Sequence, residues 1–351
     1  MRRAAVVLPI LLILLIVAAG AQIGSPLAVD PKGQVYFAGN GAVWKIAADG
    51  SVTKFVTGKN PTTLALDAQG NLCGNHQFWD ARQKQQLYSL WSATPEGKVT
   101  DIVAPTAALP RGTGCLQDEA GNTYAWVGSG DHRQAESYLL RRTPEGEVSV
   151  VAGGAWGHRD GLAHQAQFAS VGGMAVGPGG AIYVADEDSI RMILPSGMVT
   201  TIAQGSVLSA FPQSHKLGSL NPMSGLAVDE RGAVYVAHFS NGTVLKVTPG
   251  GQVATLLQLD WRWGPVGVAV AGTDVFVLEE PNTPFTDGPR VQWLAPNGQV
   301  LTLASLPQSR STLGMFVVGL LALVSFGIIV LLILARPRRS PAEAPPARRA
   351  A

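Results

Sequence analysis

The sequence predicts an all-β fold, a six-bladed β-propeller, and three observations carry the prediction. A turn with glycine at its fourth position and valine at its sixth recurs as AADGSV (47–52), TPEGKV (94–99), TPEGEV (143–148), LPSGMV (194–199), TPGGQV (248–253) and APNGQV (295–300). A second turn recurs upstream of each, in LAVDPKGQVYFAG (27–39), LALDAQGNLCGNH (64–76), CLQDEAGNTYAWV (115–127), MAVGPGGAIYVAD (174–186), LAVDERGAVYVAH (226–238) and VAVAGTDVFVLE (268–279). The first set of glycines, at 50, 97, 146, 197, 251 and 298, is spaced by 47, 49, 51, 54 and 47 residues, the period of a four-stranded blade.

In chain order, residues 1–21, MRRAAVVLPILLILLIVAAGA, join two arginines to an uncharged apolar run and a small-residue exit. That is the form of a secretory signal. Left uncleaved, the same run is an N-terminal anchor. The propeller follows over 22–304. Within each unit the turn glycine supplies a positive φ and the valine starts the next strand. Asp30, Asp67, Asp118 and Asp229 hold a constant place before the other turn, where a carboxylate accepts hydrogen bonds from the turn's own backbone. Residues 22–24 are too few to donate a strand to the last blade.

After a tether at 305–312, the stretch 313–335, LGMFVVGLLALVSFGIIVLLILA, is uncharged over more than the ~20 residues a helix needs to span a bilayer. Arg336, Arg338 and Arg339 follow at once, so the tail 336–351 is expected in the cytoplasm and the propeller outside. The chain then has one span, or two if the N-terminal segment stays. An eight-residue tether reaches at most about 28 Å, which keeps the propeller near the membrane. The Pro/Ala/Arg-rich tail is too poor in apolar side chains to fold.

The formal net charge of +2 is misleading, because seven arginines lie in the two end segments. The exported part carries 19 basic and 23 acidic side chains, about −4. It shows no basic stripe for a phosphate backbone, so no nucleic-acid partner is expected. Cys73 and Cys115 both fall where oxidation is permitted, and either a disulfide or two buried thiols fits the sequence.

The segment 151–205, with VAGGAWGHRDGLAHQAQF, GMAVGPGGAIYVAD and SIRMILPSGMVTTIAQG, resembles an NHL repeat, of a bacterial membrane-anchored type. The resemblance covers the exported region, departs from the pattern in the second and third units, where loops such as NHQFWDARQKQQ (75–86) are inserted, and again in the sixth, where the turn glycine is displaced. It implies a propeller that serves as a platform for partner proteins, while some relatives are enzymes.

In a four-stranded blade the 1–2 and 3–4 turns share one face of the disc; the 2–3 loops and blade-to-blade links share the other. The first class is short and stereotyped here, so length variation falls on the second, the loop face. Its candidate binding residues are Trp79, His132, Trp156, His158, Arg159, Asp160, Phe239 and Glu280. Aromatics mixed with charge suit a protein or peptide partner. Adjacent loop residues point apart, which favours a structural role for His158, Arg159 and Asp160. Trp261 and Trp263 lie on the same face, to touch the membrane interface or pack between blades.

Aligning the units on the second strand brings Gly39, His76, Val127, Asp186, His238 and Glu279 to one position. His76, Asp186, His238 and Glu279 are the donor types for Zn²⁺ or another transition metal in the channel. The fold likeness to peptide-amidating lyases, which use histidines from separate blades around a metal, makes a metal-dependent extracytoplasmic enzyme the alternative to a binding platform. No cofactor is firmly expected. The first-strand entrances Ser25, Thr63, Thr113, Gly172, Ser224 and Val266 offer no carboxylate, which disfavours a calcium-dependent lactonase, and no G-x-S-x-G nucleophile motif occurs.

Overall fold

In a computed structural model of the chain the described residues are 25–67, 69–107, 116–128, 137–205, 208, 223–282 and 287–307. The chain divides into two compact units, Met1–Gln308 and Ser309–Ala351, the second wholly outside the described residues. The segments 1–21, 313–335 and 336–351 also lie outside them. Among the described residues no helix is long and apolar enough to cross a membrane.

The first unit is a six-bladed β-propeller, each blade an antiparallel sheet of consecutive strands. Blade 1 comprises β1 (Leu27–Val29), β2 (Val35–Gly39), β3 (Ala42–Ile46) and β4 (Val52–Thr57); blade 2 comprises β5 (Leu64–Leu66), β6 (Leu72–Asp80), β7 (Gln85–Ala93) and β8 (Val99–Thr106). Blade 3 holds β9 (Leu116–Gln117), β10 (Thr123–Gly128), β11 (Ser137–Arg142) and β12 (Val148–Gly154). Blade 4 has a fifth strand, β13 (Gly161–Leu162), paired to the outer edge of β14 (Val171–Val176), β15 (Ile182–Asp186), β16 (Ser189–Ile193) and β17 (Met198–Gln204). Blade 5 is β18 (Met223–Val228), β19 (Val234–His238), β20 (Thr243–Val247) and β21 (Val253–Gln258), and blade 6 is β22 (Trp263–Ala271), β23 (Asp274–Pro281), β24 (Arg290–Leu294) and β25 (Val300–Ser305).

Turn chemistry sets this order. At all six 3–4 turns the glycine N–H donates to the carbonyl three residues back, as Gly50 does to Ala47 at 2.9 Å and Gly298 to Ala295 at 2.9 Å, with φ of 81° and 84° at the two glycines. At the 1–2 turns one carboxylate oxygen accepts two backbone N–H groups: Asp30 from Lys32 and Gln34, Asp229 from Arg231 and Ala233, each within 2.9 Å. Asp67 and Asp118 do the same. Blade 6 replaces this device with a tight two-residue turn at Gly272 and Thr273, Ala271 pairing with Asp274.

Burial follows strand position. The second strands β2, β15 and β19 are buried at every residue, while the outermost β4 and β25 are mostly exposed. The core therefore lies between blades. Trp126 of blade 3 meets Phe168 edge to face at 4.9 Å, above Val184 and Ile193 of blade 4. Ile190, Leu226 and Val236 pack blade 4 on blade 5. Each such fully buried side chain contributes about 1.5–3 kcal/mol.

The ring closes without strand exchange, since the first and last sheets are each built from their own four strands. At this seam Leu27 and Phe37 pack on Leu278, Val291 and Leu306. Ser25 Oγ accepts the Val268 N–H at 3.1 Å, and Asn40 donates to the Pro307 carbonyl at 2.9 Å. Ser305 pairs with Arg290 and Leu306 is buried, so the folded unit includes the first two residues read from the sequence as tether.

Candidate functional site

Antiparallel order places the 2–3 loops and the links on one face, as expected. Among the described residues, the exposed Trp and Phe side chains all stand there: Trp79 near the end of β6 (61% exposed), Trp156 in the link after β12 (40%), Phe239 after β19 (39%) and Trp261 in the link after β21 (75%). The Phe239 ring covers Gly264, where a Cβ would come within 2.3 Å of it. Trp263 differs from its neighbour: it is buried, with the Arg290 guanidinium 3.9 Å above its ring. Glu280 is exposed near the end of β23, and desolvation pushes its carboxyl above the ordinary range. His132 lies outside the described residues.

The trio in the link before blade 4 divides by role. Asp160 accepts from Arg191 Nη2 at 2.8 Å and from the backbone N–H and hydroxyl of Thr201 at 2.8 and 3.0 Å. Arg159 donates from Nε to the Gln165 carbonyl and offers its own carbonyl to Arg191. These two fasten the link. His158, exposed like the other two, turns to carboxylates instead, with Nε2 2.9 Å from Glu187 and Nδ1 3.9 Å from Asp186. Trp156 lies edge to face with it at 6.2 Å.

At the centre of that network is Arg191, 1% exposed, which the sequence reading did not single out. Its one sequence signal is a cation at an inward position of the apolar strand SIRMI. The guanidinium stacks on Phe168 at 4.5 Å and donates to the Gln167 carbonyl and to Asp186. Asp186 is fully buried and also accepts the N–H groups of Ala169 and Ser170. Burial pushes its carboxyl up, against the downward pull of those donors.

The four metal-ligand candidates are not brought together, and no group of three His, Cys, Asp or Glu among the described residues is arranged to hold a metal ion. Each is engaged in its own blade. His76 accepts the Asn60 N–H at 3.0 Å on Nδ1 and stacks on Phe78. His238 donates from Nε2 to the Leu208 carbonyl at 3.2 Å and accepts the Asn241 N–H on Nδ1 at 3.3 Å. Glu279 pairs with Arg290 at 2.6 Å, while its buried Oε1 has no partner among the described residues. The donor set therefore does not fit a zinc centre. Cys73 is buried and disulfide-bonded, and Cys115 lies outside the described residues.

Burial holds the pKa of His238 below the ordinary imidazole value. Because the folded pKa is depressed, its contribution is complete above the unfolded value near 6.5 and is lost as pH falls below it. Between pH 6.5 and 5.5 this group is expected to remove up to about 1 kcal/mol of stability. Urea unfolding at the two pH values tests this: His238→Gln, which does not titrate, should show a smaller pH-dependent loss, and an equal loss would exclude His238 as the cause.

Among the cavities of the described residues, two bear on function. The central channel, about 300 Å³, is walled by the first strands. Its described lining is apolar apart from groups such as Ser25, Thr63 and Gln117, and has no titratable side chain. A larger groove, about 740 Å³, opens on the opposite face between blades 3 and 4.

No protein-family model matches the chain, and no curated protein matches it by sequence. Among solved structures it is similar to virginiamycin B lyase from Staphylococcus aureus, at 13% identity over 83% of this chain and 86% of that one, TM-score 0.43. It is also similar to a gluconolactonase from Xanthomonas campestris, at 16% identity over 73% and 83%, TM-score 0.47. A third is the PQQ-bound aldose sugar dehydrogenase from Streptomyces coelicolor, at 15% identity over 79% and 95%, TM-score 0.48. Likeness at this level carries no argument about activity. The six-bladed architecture stands on the strand pairing itself.

Proposed function

We propose that this propeller is a binding platform for a protein partner, engaged through its loop face, and that the apolar run at 313–335 holds it outside a membrane. The observation that supports the reading is the gathering of Trp79, Trp156, Phe239 and Trp261 on one face, contributed by loops of separate blades. Large rigid aromatics left in water on a framework with a buried core are the anchors from which protein interfaces draw most of their energy. The exposed charges of Glu187, Glu280 and Arg262 lie among them and suit a polar rim.

The experiment is site-specific photocrosslinking in the source cells, with p-benzoylphenylalanine in place of Trp79, Trp261, Lys32 or Asp49. A discrete adduct from the first two positions and none from the two on the turn face is the expected result. Trp156→Ala/Phe239→Ala should lower its yield at least tenfold, since each buried aromatic anchor is worth about 1–2 kcal/mol or more and about 1.4 kcal/mol is a factor of ten. Adducts from both faces alike, or from neither, would sink the proposal. The metal-dependent alternative is not adopted, because among the described residues its histidines and acids do not converge on one point and each is engaged with another partner.

A further inference from the structure

We propose that the groove on the turn face between blades 3 and 4 binds an extended peptide segment bearing lysine or arginine side chains. Its origin is visible in the turns. Blades 3 and 5 carry Asp118-Glu119-Ala120-Gly121 and Asp229-Glu230-Arg231-Gly232, whereas blade 4 has Gly177-Pro178-Gly179-Gly180, with one side chain among four residues. Gly177 has no room for an aspartate, since a Cβ there would lie 2.5 Å from the Tyr183 ring and 3.0 Å from Val228. The missing side chains leave about 740 Å³ open, within the ordinary range of ligand pockets, ~300–1,000 Å³.

Shape argues for an extended chain. From the channel outward one wall is Gln117, Tyr124, Arg141 and Val151, one residue from each strand of blade 3. The facing wall is Val176, Ile182 and Ile193 of blade 4. The groove therefore crosses four strands, about 14 Å at the usual inter-strand spacing, and an extended peptide covers that length with about four residues. The walls are about half apolar and half polar, and Ile182 and Ile193 are themselves buried. Arg141 presents a buried Nε with no acceptor among the described residues, a donor suited to a peptide carbonyl.

Charge argues for a basic occupant. Four carboxylates rim the groove, Asp118 and Glu119 on one side and Asp229 and Glu230 at its inner end, against the single cation Arg141. The aspartates are committed to their turns, but Glu119 and Glu230 are exposed at turn tips and free to move toward a cationic side chain.

The test is fluorescence polarisation of the full-length chain with two fluorescein-labelled pentapeptides, Val-Lys-Val-Arg-Val-amide and Val-Glu-Val-Glu-Val-amide. Saturable binding of the basic peptide alone is expected, at least tenfold weaker in Ala120→Trp, which places an indole in the mouth, and in Glu119→Lys/Glu230→Lys. All three positions are exposed, and circular dichroism confirms that the variants are folded. No saturable binding of the basic peptide overturns the proposal. So does binding that Ala120→Trp leaves unchanged, which would mean diffuse charge attraction outside the groove.

Discussion

Replacing Arg191 by methionine is expected to lower the free energy of unfolding by about 3–5 kcal/mol, the cost of breaking a buried ion pair from one side. Methionine keeps most of the apolar stem against Phe168 but removes four hydrogen bonds, to the Gln167 and Arg159 carbonyls and to Asp186 and Asp160. Asp186, fully buried, is then left with only two backbone donors and must either hold an unpaired buried charge or take up a proton, both at a cost in stability. Adding Asp186→Asn removes that stranded charge, so the double variant should lose less than the sum of the singles. Urea unfolding of the four proteins measures the cycle. A loss below about 1 kcal/mol for Arg191→Met would show that water or neighbouring donors reach Asp186.

Gly74→Ala should be nearly as damaging, at about 3 kcal/mol, although only one methyl is added. Its backbone is one that any residue adopts, so the cost is steric: the new Cβ would lie 2.3 Å from Trp91 Cζ2 and 2.7 Å from Cε2. The indole is fully buried and cannot easily swing aside, because its N–H donates to the Asn75 carbonyl at 3.0 Å. Trp91→Ala alone should cost about 3–5 kcal/mol through the cavity it leaves. Together the two changes should cost less than their sum, by about 1–3 kcal/mol, since the added methyl enters the vacated space. Additive losses would mean that the methyl is absorbed by a backbone shift.

The turns were legible because their chemistry is local. An aspartate accepting from N–H groups two and four residues on, or a glycine at positive φ, is written within six residues. What depended on register was not legible. Counting three residues past Cys73 selects His76 as the counterpart of Asp186, but Asn75 does the equivalent work, accepting the Thr62 and Thr63 N–H groups as Asp186 accepts those of Ala169 and Ser170. The pairing of β14 with β15, β18 with β19 and β22 with β23 is shifted by a bulge, whereas β5 pairs with β6 in plain alternation. One inserted residue changes which side chain reaches the link.

The Arg191 network was hidden for a different reason. Its partners Arg159, Asp160 and Gln167 lie 32, 31 and 24 residues away, in a link that shows no strand period. The pair Gly161 and Leu162, which forms β13, is too short to give any pattern. The loop-face aromatics could be listed from sequence, but their exposure could not: Trp261 is open to solvent, and Trp263, two residues on, is buried under Arg290.

The seam between blades 1 and 6 gives the ring a mechanical polarity. Every other blade boundary is crossed by the chain itself, so separating those blades means stretching a covalent link. At the seam nothing continuous crosses. The ends of the folded unit, near Ser25 and Pro307, both emerge there, joined by packing around Leu306 and by a few hydrogen bonds such as those of Ser25 with Val268 and Asn40 with Pro307. A pull on either end acts at the one boundary without a covalent tie. At the C-terminal end it meets β25, an outermost strand whose hydrogen bonds to β24 break one after another rather than together.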